Sequence, residues 1–129
     1  MNKLTTHKPT KQELAILRVL WQDGPGTVRD ILARLNKTQN VGYTTALKLL
    51  QIMTTKELVI RDETVRPQLY RARHSQVKTQ QHLLKDLLNR AFDGSVKSLV
   101  MRAVSIRKTS PEDLQALENL LDRFEGGSK

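Results

Sequence analysis

In the N-terminal part of the chain, apolar residues recur at the spacing of one face of an α-helix, with polar residues between them. Thr10 and Glu13 have the spacing of a capping box, and the apolar positions of a first helix follow them: Leu14, Ile16, Leu17, Leu20 and Trp21. Glycine and proline at positions 24–26 end this helix. Thr27 and Asp30 repeat a weaker version of the box and open a second helix, whose apolar positions are Val28, Ile31, Leu32 and Leu35.

A third predicted helix has one polar and one apolar face. On a helical wheel the polar residues fall within one arc: Thr44, Thr45, Lys48, Gln51 and Thr55. The apolar residues gather on the opposite side: Ala46, Leu49, Leu50 and Met53. Hydroxyl, ammonium and amide groups are those that reach phosphates and base edges from a helix in the major groove of DNA. A solvated helix face has the same pattern, so this helix alone leaves both interpretations open.

The segment after the third helix predicts a β-hairpin. Residues 58–61 and 68–71 are rich in strand-favouring types and flank a polar connection, and Pro67 suits an edge of the ribbon. Four arginines cluster on and beside this hairpin: Arg61, Arg66, Arg71 and Arg73. They could serve solubility, but their position beside the helix favours contact with DNA phosphates. Residues 1–74 therefore predict a winged helix-turn-helix, which is a mainly α-helical domain with a small hairpin.

Residues 75–129 are predicted to form a helical dimerisation domain. Ser75 opens a helix that Gly94 ends with a left-handed cap, Ser95 caps the next, and Ser110 with Pro111 opens the last. The apolar stripes include Leu84, Leu87, Leu88, Val96, Leu99, Val100, Ala103, Leu117, Leu120 and Leu121. A frayed tail is expected from Gly126. Three short helices could close a monomeric bundle, but their apolar surface is more simply buried in a homodimer.

Charge is distributed unequally along the chain. The net charge is +9, and residues 1–74 hold 13 of the 22 Lys/Arg but only 6 of the 13 Asp/Glu. This excess favours a polyanion as the partner of the N-terminal half, such as double-stranded DNA, and a protein as the partner of the C-terminal half. Because we find neither a signal peptide nor a long apolar run, we expect a cytoplasmic protein without membrane insertion.

The residues that catalysis and metal binding need are sparse. The chain has no cysteine, which excludes disulfides and thiolate ligands. Its histidines, His7, His74 and His82, are scattered and are expected to lie on the surface. No phosphate-binding glycine loop, nucleophile elbow or zinc-binding helix motif is present. We therefore expect neither an enzyme nor a metal or cofactor.

The chain resembles the penicillinase repressors of the BlaI/MecI type. The matching segments occur in the same order, at residues 10–14, 19–21, 27–30, 42–45, 49–51, 69–71, 92–96 and 98–100, and continue into the last helix. The resemblance implies a bacterial transcriptional repressor that is dimeric through its C-terminal helices and binds a palindromic operator until a signal releases it. The resemblance, together with the helix and hairpin patterns, predicts which residues contact DNA. These residues are Tyr43, Thr44, Thr45, Lys48, Gln51, Arg61, Arg66 and Arg71.

Four departures from that family bear on function or on the local fold. Ile52 stands where an arginine is usual, and Lys48 where threonine is common, so base preference is expected to differ. Glu57 replaces a glycine, so the turn into the hairpin is expected to close without that residue's freedom at positive φ. The Asn-Phe bond that is cleaved in antibiotic-responsive members falls here on Arg102-Ala103, which a protease specific for Asn-Phe could not recognise.

Two functions are therefore consistent with the sequence. The first is a homodimeric repressor, released by a regulatory protease or a membrane sensor system whose signal and target gene are open. The alternative is a winged-helix module that binds another protein, since the fold is also used in that way.

Overall fold

A computed structural model of the protein describes residues 8–127, with side chains described as far as residue 124. Within this range the chain is mainly α-helical with one small hairpin, as predicted. Its elements are α1 (Lys11–Asp23), α2 (Val28–Leu35), α3 (Tyr43–Thr55), β1 (Val59–Asp62), β2 (Leu69–Ala72), α4 (Gln76–Ala91), α5 (Val96–Ser105) and α6 (Pro111–Gly127). None of these helices has both the length and the apolar run needed to cross a bilayer.

The described chain separates into two compact units, and the division lies between His82 and Leu83, inside α4. The first unit contains the three N-terminal helices and the hairpin. The second contains the rest of α4 with α5 and α6. The assignment of residues 1–74 and 75–129 to DNA binding and dimerisation stays a prediction.

Both predicted capping boxes are confirmed. The backbone N–H of Glu13 donates to Thr10 Oγ1 at 3.2 Å, and Thr10 N–H donates to Glu13 Oε1 at 2.9 Å. The corresponding distances between Thr27 and Asp30 are 3.1 and 3.0 Å. The hydrogen bonds from Thr27, first of all that of its backbone N–H, lower the pKa of Asp30. These local contacts satisfy N–H groups that the first turn of a helix leaves without partners.

The first unit has a continuous apolar core between its helices and the hairpin. The buried members are Ile16, Leu17, Leu20, Ile31, Leu35, Leu50, Met53, Leu58, Val59 and Tyr70. Each fully buried side chain of this kind contributes about 1.5–3 kcal/mol relative to exposure. Because Leu50 and Met53 lie on the inner face of α3, the core fixes which face of that helix remains exposed.

The hairpin is antiparallel and pairs Val59 with Ala72 and Asp62 with Leu69. Each strand begins one residue later than predicted. Gly26, in the turn before α2, pairs with Tyr70 of β2: Gly26 N–H donates to Tyr70 O at 3.0 Å, and Tyr70 N–H donates to Gly26 O at 2.8 Å. This bridge attaches the hairpin to the helical part of the unit.

The turn from α3 into β1 corrects one expectation. Glu57 adopts φ +61°, so the left-handed conformation is present although the residue is not glycine. Glu57 N–H donates to Thr54 O at 3.1 Å and Leu58 N–H donates to Met53 O at 2.9 Å, which is the pattern of a Schellman cap. The positive φ follows from this helix end, because the cap returns Leu58 to the core and requires a left-handed residue before it.

The second unit is formed by helices with clear start signals. Ser98 N–H donates to Ser95 Oγ at 3.1 Å, and Asp113 N–H donates to Ser110 Oγ at 3.1 Å, as predicted. Lys97 of α5 binds Asp122 of α6 at 2.6 Å. After the end of α4 at Ala91, Gly94 has the predicted positive φ, +81°, and Asp93 before it is also left-handed, at φ +52°. The tail prediction was wrong at residues 126–127, which continue α6, and residues 128–129 lie outside the described range.

Candidate nucleic-acid interface

The outer face of α3 exposes the polar residues that the helical wheel grouped together. Thr44, Thr45, Lys48 and Gln51 are exposed, and Tyr43 at the start of the helix is 42 % exposed. Ala46, Leu50 and Met53 are buried on the other side. The structure therefore places all five predicted α3 residues on the outside of one helix, anchored from behind by its apolar residues.

The loop before α3 is closed by Asn36. Its side-chain amide donates to Val41 O at 2.9 Å, and its amide oxygen accepts from Val41 N–H at 2.7 Å. These two bonds join the end of α2 to the residue just before the Gly42 cap of α3. Asn36 is therefore a positioning residue for the exposed helix. It was missed by the sequence prediction, and its one signal there is an asparagine directly after a helical stripe.

The other end of α3 is tied to α1 by an ion pair. Lys56 Nζ lies 3.1 Å from both carboxylate oxygens of Glu13, whose side chain is only 2 % exposed. The same carboxylate accepts the capping bond from Thr10 N–H. Glu13 thus closes the start of α1 and holds the end of α3. Its role as a cap was predicted, whereas its partner 43 residues away was not.

A groove of about 320 Å³ lies where α2, α3 and the hairpin meet. The guanidinium of Arg29 lies over the ring of Tyr43, 5.2 Å from its centroid, so a cation from α2 is held beside the start of α3. Arg66 and Gln68 line the same groove from the hairpin side. Arg29 was not among the predicted site residues, because its proximity to Tyr43 depends on the packing of α2 against α3.

The three hairpin arginines that are predicted to contact DNA have different environments. Arg66 and Arg71 are exposed, whereas Arg61 is half-buried and its Nη2 lies 3.2 Å from Glu63 Oε1. An arginine that is already paired has less to gain from a phosphate, so Arg66 and Arg71 are the better placed contacts. Contact of Arg61, Arg66 and Arg71 with DNA stays a prediction.

The turn of the hairpin is ordered by Asp62. Its Oδ1 accepts hydrogen bonds from the hydroxyl of Thr64 at 2.6 Å and from the backbone N–H of Thr64 at 2.9 Å. These bonds, led by the hydroxyl, lower the pKa of Asp62, and the charge of Arg71 acts in the same direction. Asp62 is therefore a structural residue of the turn, held ionised beside the exposed arginines.

Comparison of the sequence with known protein families agrees with this arrangement of helices and a basic hairpin. The sequence model of the family described as Penicillinase repressor matches residues 9–123. The chain belongs to the penicillinase repressor family. It is also similar to the proteins named Transcriptional regulator BlaI of two Mycobacterium tuberculosis strains, CDC 1551 / Oshkosh and H37Rv. In both cases the identity is 28 % over 117 residues, which cover 89 % of this chain and 83 % of the relative.

Family membership decides the class of protein. Penicillinase repressors are transcriptional regulators rather than enzymes, and a repressor family implies DNA binding. The predictions of the family, of a repressor and of a non-enzymatic protein are thus confirmed. The individual DNA-contacting residues and the homodimer stay predictions.

The residues predicted for dimerisation fall into three groups in the second unit. Leu84, Leu87, Val96, Ala103 and Leu120 are exposed, whereas Leu88, Leu99, Val100 and Leu117 are half-buried. Leu121 is buried within its own chain. Arg102 and Ala103, the equivalent of the family's cleavage site, are both exposed on α5. No residue of α5 is buried, so this repressor presents much of that helix to its surroundings.

The two histidines within the described residues lie near each other, since, after burial, the charge of His82 contributes to the lowered pKa of His74. Residues 8–127 contain no group of three or more His, Cys, Asp or Glu side chains that could hold a metal ion. His74 and His82 are half-buried rather than on the surface as predicted, and Trp21 Nε1 donates to the carbonyl of His74 at 2.8 Å. Burial, followed by the charges of Lys78 and Arg73, lowers the pKa of His74. His7 lies outside the described residues.

Proposed function

We propose that this member of the penicillinase repressor family is a cytoplasmic homodimer that binds a palindromic DNA operator. In this proposal α3 enters the major groove and the hairpin lies along the phosphates. The observation that carries it is the exposed polar face of α3, flanked by arginines from α2 and the hairpin. In winged-helix DNA-binding proteins, basic residues usually lie beside a helix whose exposed side chains can contact base edges in the major groove.

The α3 residues divide by chemistry into base and backbone contacts. Gln51 and Lys48 carry the amide and ammonium groups that pair with adenine and guanine edges, and the methyl group and hydroxyl of Thr45 suit thymine or a polar edge. Gly42 caps α3 without a side-chain hydrogen bond. Backbone N–H groups at such a helix start are donors for phosphate. Tyr43 and Thr44, in the first turn, are positioned for the same backbone.

Phosphate binding is assigned to the cations around the groove between α2, α3 and the hairpin. Arg66 and Arg29 both line this groove, Arg29 with its guanidinium over the ring of Tyr43, and Arg71 is exposed on β2 outside the groove lining. Each phosphate neutralised by such a cation releases condensed counterions, so binding weakens as salt rises. This electrostatic contribution separates DNA binding from the alternative of a protein-binding winged helix, whose affinity has no such fixed slope.

Selection of bound fragments from random double-stranded DNA tests the operator directly. We expect the selected fragments to contain two inverted half-sites separated by about one helical turn, because a two-fold dimer presents two copies of α3. Failure to select any common sequence, or selection of a single half-site without its inverted copy, would contradict the proposal.

The salt dependence of binding tests the hairpin. Arg66→Ala should reduce the slope of log K against log salt by about 0.9 for each phosphate of the duplex that the variant no longer neutralises. Arg107→Ala removes an equal charge from the second unit, where Arg107 is exposed, and serves as the matched control. If both variants leave the slope unchanged, the hairpin does not act by neutralising phosphates.

Dimerisation is assigned to the second unit because its helices expose large apolar side chains. Leu84, Leu87, Val96 and Leu120 are each about half exposed, and Phe124 is 66 % exposed. Burying such a surface against a second copy removes apolar area from water. Two linked winged helices then bind the two half-sites with an effective concentration that a monomer lacks.

Substitution on α4 tests this assignment without disturbing the buried part of the unit. Leu87→Glu places a carboxylate on an exposed apolar position, whereas Asn89→Glu adds the same charge to an exposed polar position of the same helix. Sedimentation velocity should find Leu87→Glu monomeric and Asn89→Glu dimeric, and an operator shift assay should find only the first variant weakened. A monomeric variant that binds the full palindrome as tightly as the parent would refute this role of assembly.

Release from DNA is assigned to proteolysis near Arg102-Ala103. Both residues are exposed, and a cut there would divide the apolar stripe from Val96 to Val104 and weaken the dimer. The bond lies inside α5, so α5 must open locally before a protease can bind it as an extended chain. A regulatory protease, alone or activated by a membrane sensor system, would make this cut in response to the inducing signal. Mass spectrometry of fragments from induced cells would locate the cut.

A further inference from the structure

We infer that Ile52 is a specificity residue of α3 that contacts the 5-methyl group of a thymine in each operator half-site. This inference rests on the proposed function, since a base contact requires α3 to lie in the major groove. It adds a second, purely apolar contact to those that Thr45 and the polar residues of the helix can make.

The position of Ile52 is the first observation. Ile52 is 38 % exposed, although large apolar side chains of the first unit are mostly buried in its core. It lies one turn after Lys48 and two turns after Thr45, on the side of α3 that is polar and exposed. An apolar side chain thus stands within the face assigned to DNA.

The chemistry of the major groove restricts what Ile52 can contact there. An isoleucine has no donor or acceptor, so it gains nothing from phosphates or from the polar edges of bases. Thymine alone among the four bases presents an apolar group in the groove, its 5-methyl. Isoleucine is also stiff at χ1 in a helix, so little side-chain freedom is lost when the methyl contact forms. Lys48 and Thr45 remain available for the polar groups on either side.

Uracil substitution measures this contact, because uracil differs from thymine only by the missing methyl group. After selection of an operator, each thymine would be replaced singly by uracil and the affinity of the full-length protein measured at fixed salt. We expect one position per half-site to lose about fourfold in affinity, the equivalent of the roughly 0.8 kcal/mol assigned to one buried methyl or methylene group. Replacement in both half-sites should cost about fifteenfold, which is that factor taken twice.

The variant Ile52→Ala assigns the sensitive thymine to its protein partner. Its affinity should no longer distinguish thymine from uracil at that position, while the effects of other base changes persist. Val65→Ala is the matched control, since Val65 is also 38 % exposed but lies in the turn of the hairpin. It should keep the full preference for thymine.

The outcomes separate this inference from the proposed function. A palindromic operator bound with a flat uracil scan, or with a preference for thymine that Ile52→Ala retains, would overturn the role of Ile52 alone. A preference abolished by Val65→Ala instead would place the methyl contact on the hairpin and overturn it as well. If no duplex is bound by the parent protein, both the proposed function and this inference fail.

Discussion

Replacement of Lys56 by methionine should destabilise the protein by leaving the Glu13 carboxylate buried without its cation. Lys56 Nζ contacts both carboxylate oxygens at 3.1 Å, and the Glu13 side chain is 2 % exposed against 28 % for Lys56. Methionine keeps most of the apolar stem of lysine, so the change removes chiefly the charge and its hydrogen bonds. The variant therefore isolates the ion pair that joins α1 to the end of α3.

The size of the effect follows from the burial of the two partners. Removing one partner of a fully buried ion pair costs about 3–5 kcal/mol. Because Lys56 is still partly solvated, and because Thr10 N–H continues to donate to Glu13, the expected loss is smaller, about 2–3 kcal/mol. A first unit of roughly 80 residues would then lose on the order of 10–20 °C in Tm.

Urea unfolding followed by circular dichroism, at one fixed protein concentration, measures this loss. Lys48→Met is the matched control, because Lys48 is exposed on the same helix and should change the free energy of unfolding by less than about 0.5 kcal/mol. The double variant Glu13→Gln with Lys56→Met should recover part of the loss, since it removes the buried charge itself. A Lys56→Met variant as stable as the control would refute the reasoning that the pair holds α3 to α1.

Two further predictions concern single residues of the first unit. Glu57→Gly should raise the free energy of unfolding by about 0.5–1 kcal/mol, because relief of the left-handed strain at φ +61° exceeds the added entropy of the unfolded chain. Thermal unfolding measures this change in stability. Glu57→Ala keeps a Cβ at the left-handed position, so it is the control that should not gain stability. A glycine variant less stable than the parent would contradict the explanation. The lowered pKa of His74 means that folding favours its neutral form. That contribution to stability is complete above the unfolded pKa of about 6.5 and is lost as pH falls through the lower folded pKa. Unfolding of His74→Gln should accordingly depend less on pH below about 6.5, and an unchanged pH profile would contradict the assignment.

The limits of most helices and the polar face of α3 were determined by sequence. The capping boxes at Thr10 and Thr27, and the serine caps at Ser95 and Ser110, join groups three residues apart, so spacing alone is enough to predict them. The face of α3 follows from the helical period in the same way. The family-typical segments, in their order along the chain, are likewise a property of the sequence and indicate a repressor by themselves.

Contacts between residues far apart in the chain were decided by tertiary structure. Gly26 pairs with Tyr70, and Glu13 binds Lys56, because the core brings α1, α3 and the hairpin together. In both pairs, the sequence around each residue contains no pattern from which its partner could be predicted. The positive φ of Glu57 belongs to the same class, since it is imposed by the return of Leu58 to the core.

The candidate interface shows the same division between local and long-range causes. Periodicity placed Thr45 and Lys48 on an outer face, but it could not tell that Arg29 of α2 lies over the ring of Tyr43 of α3. Spacing of three, four or seven residues is a property of one helix, and it specifies directions around that helix only. Which charges meet across elements depends on how the apolar faces pack, and that packing is fixed by the whole core rather than by any single segment.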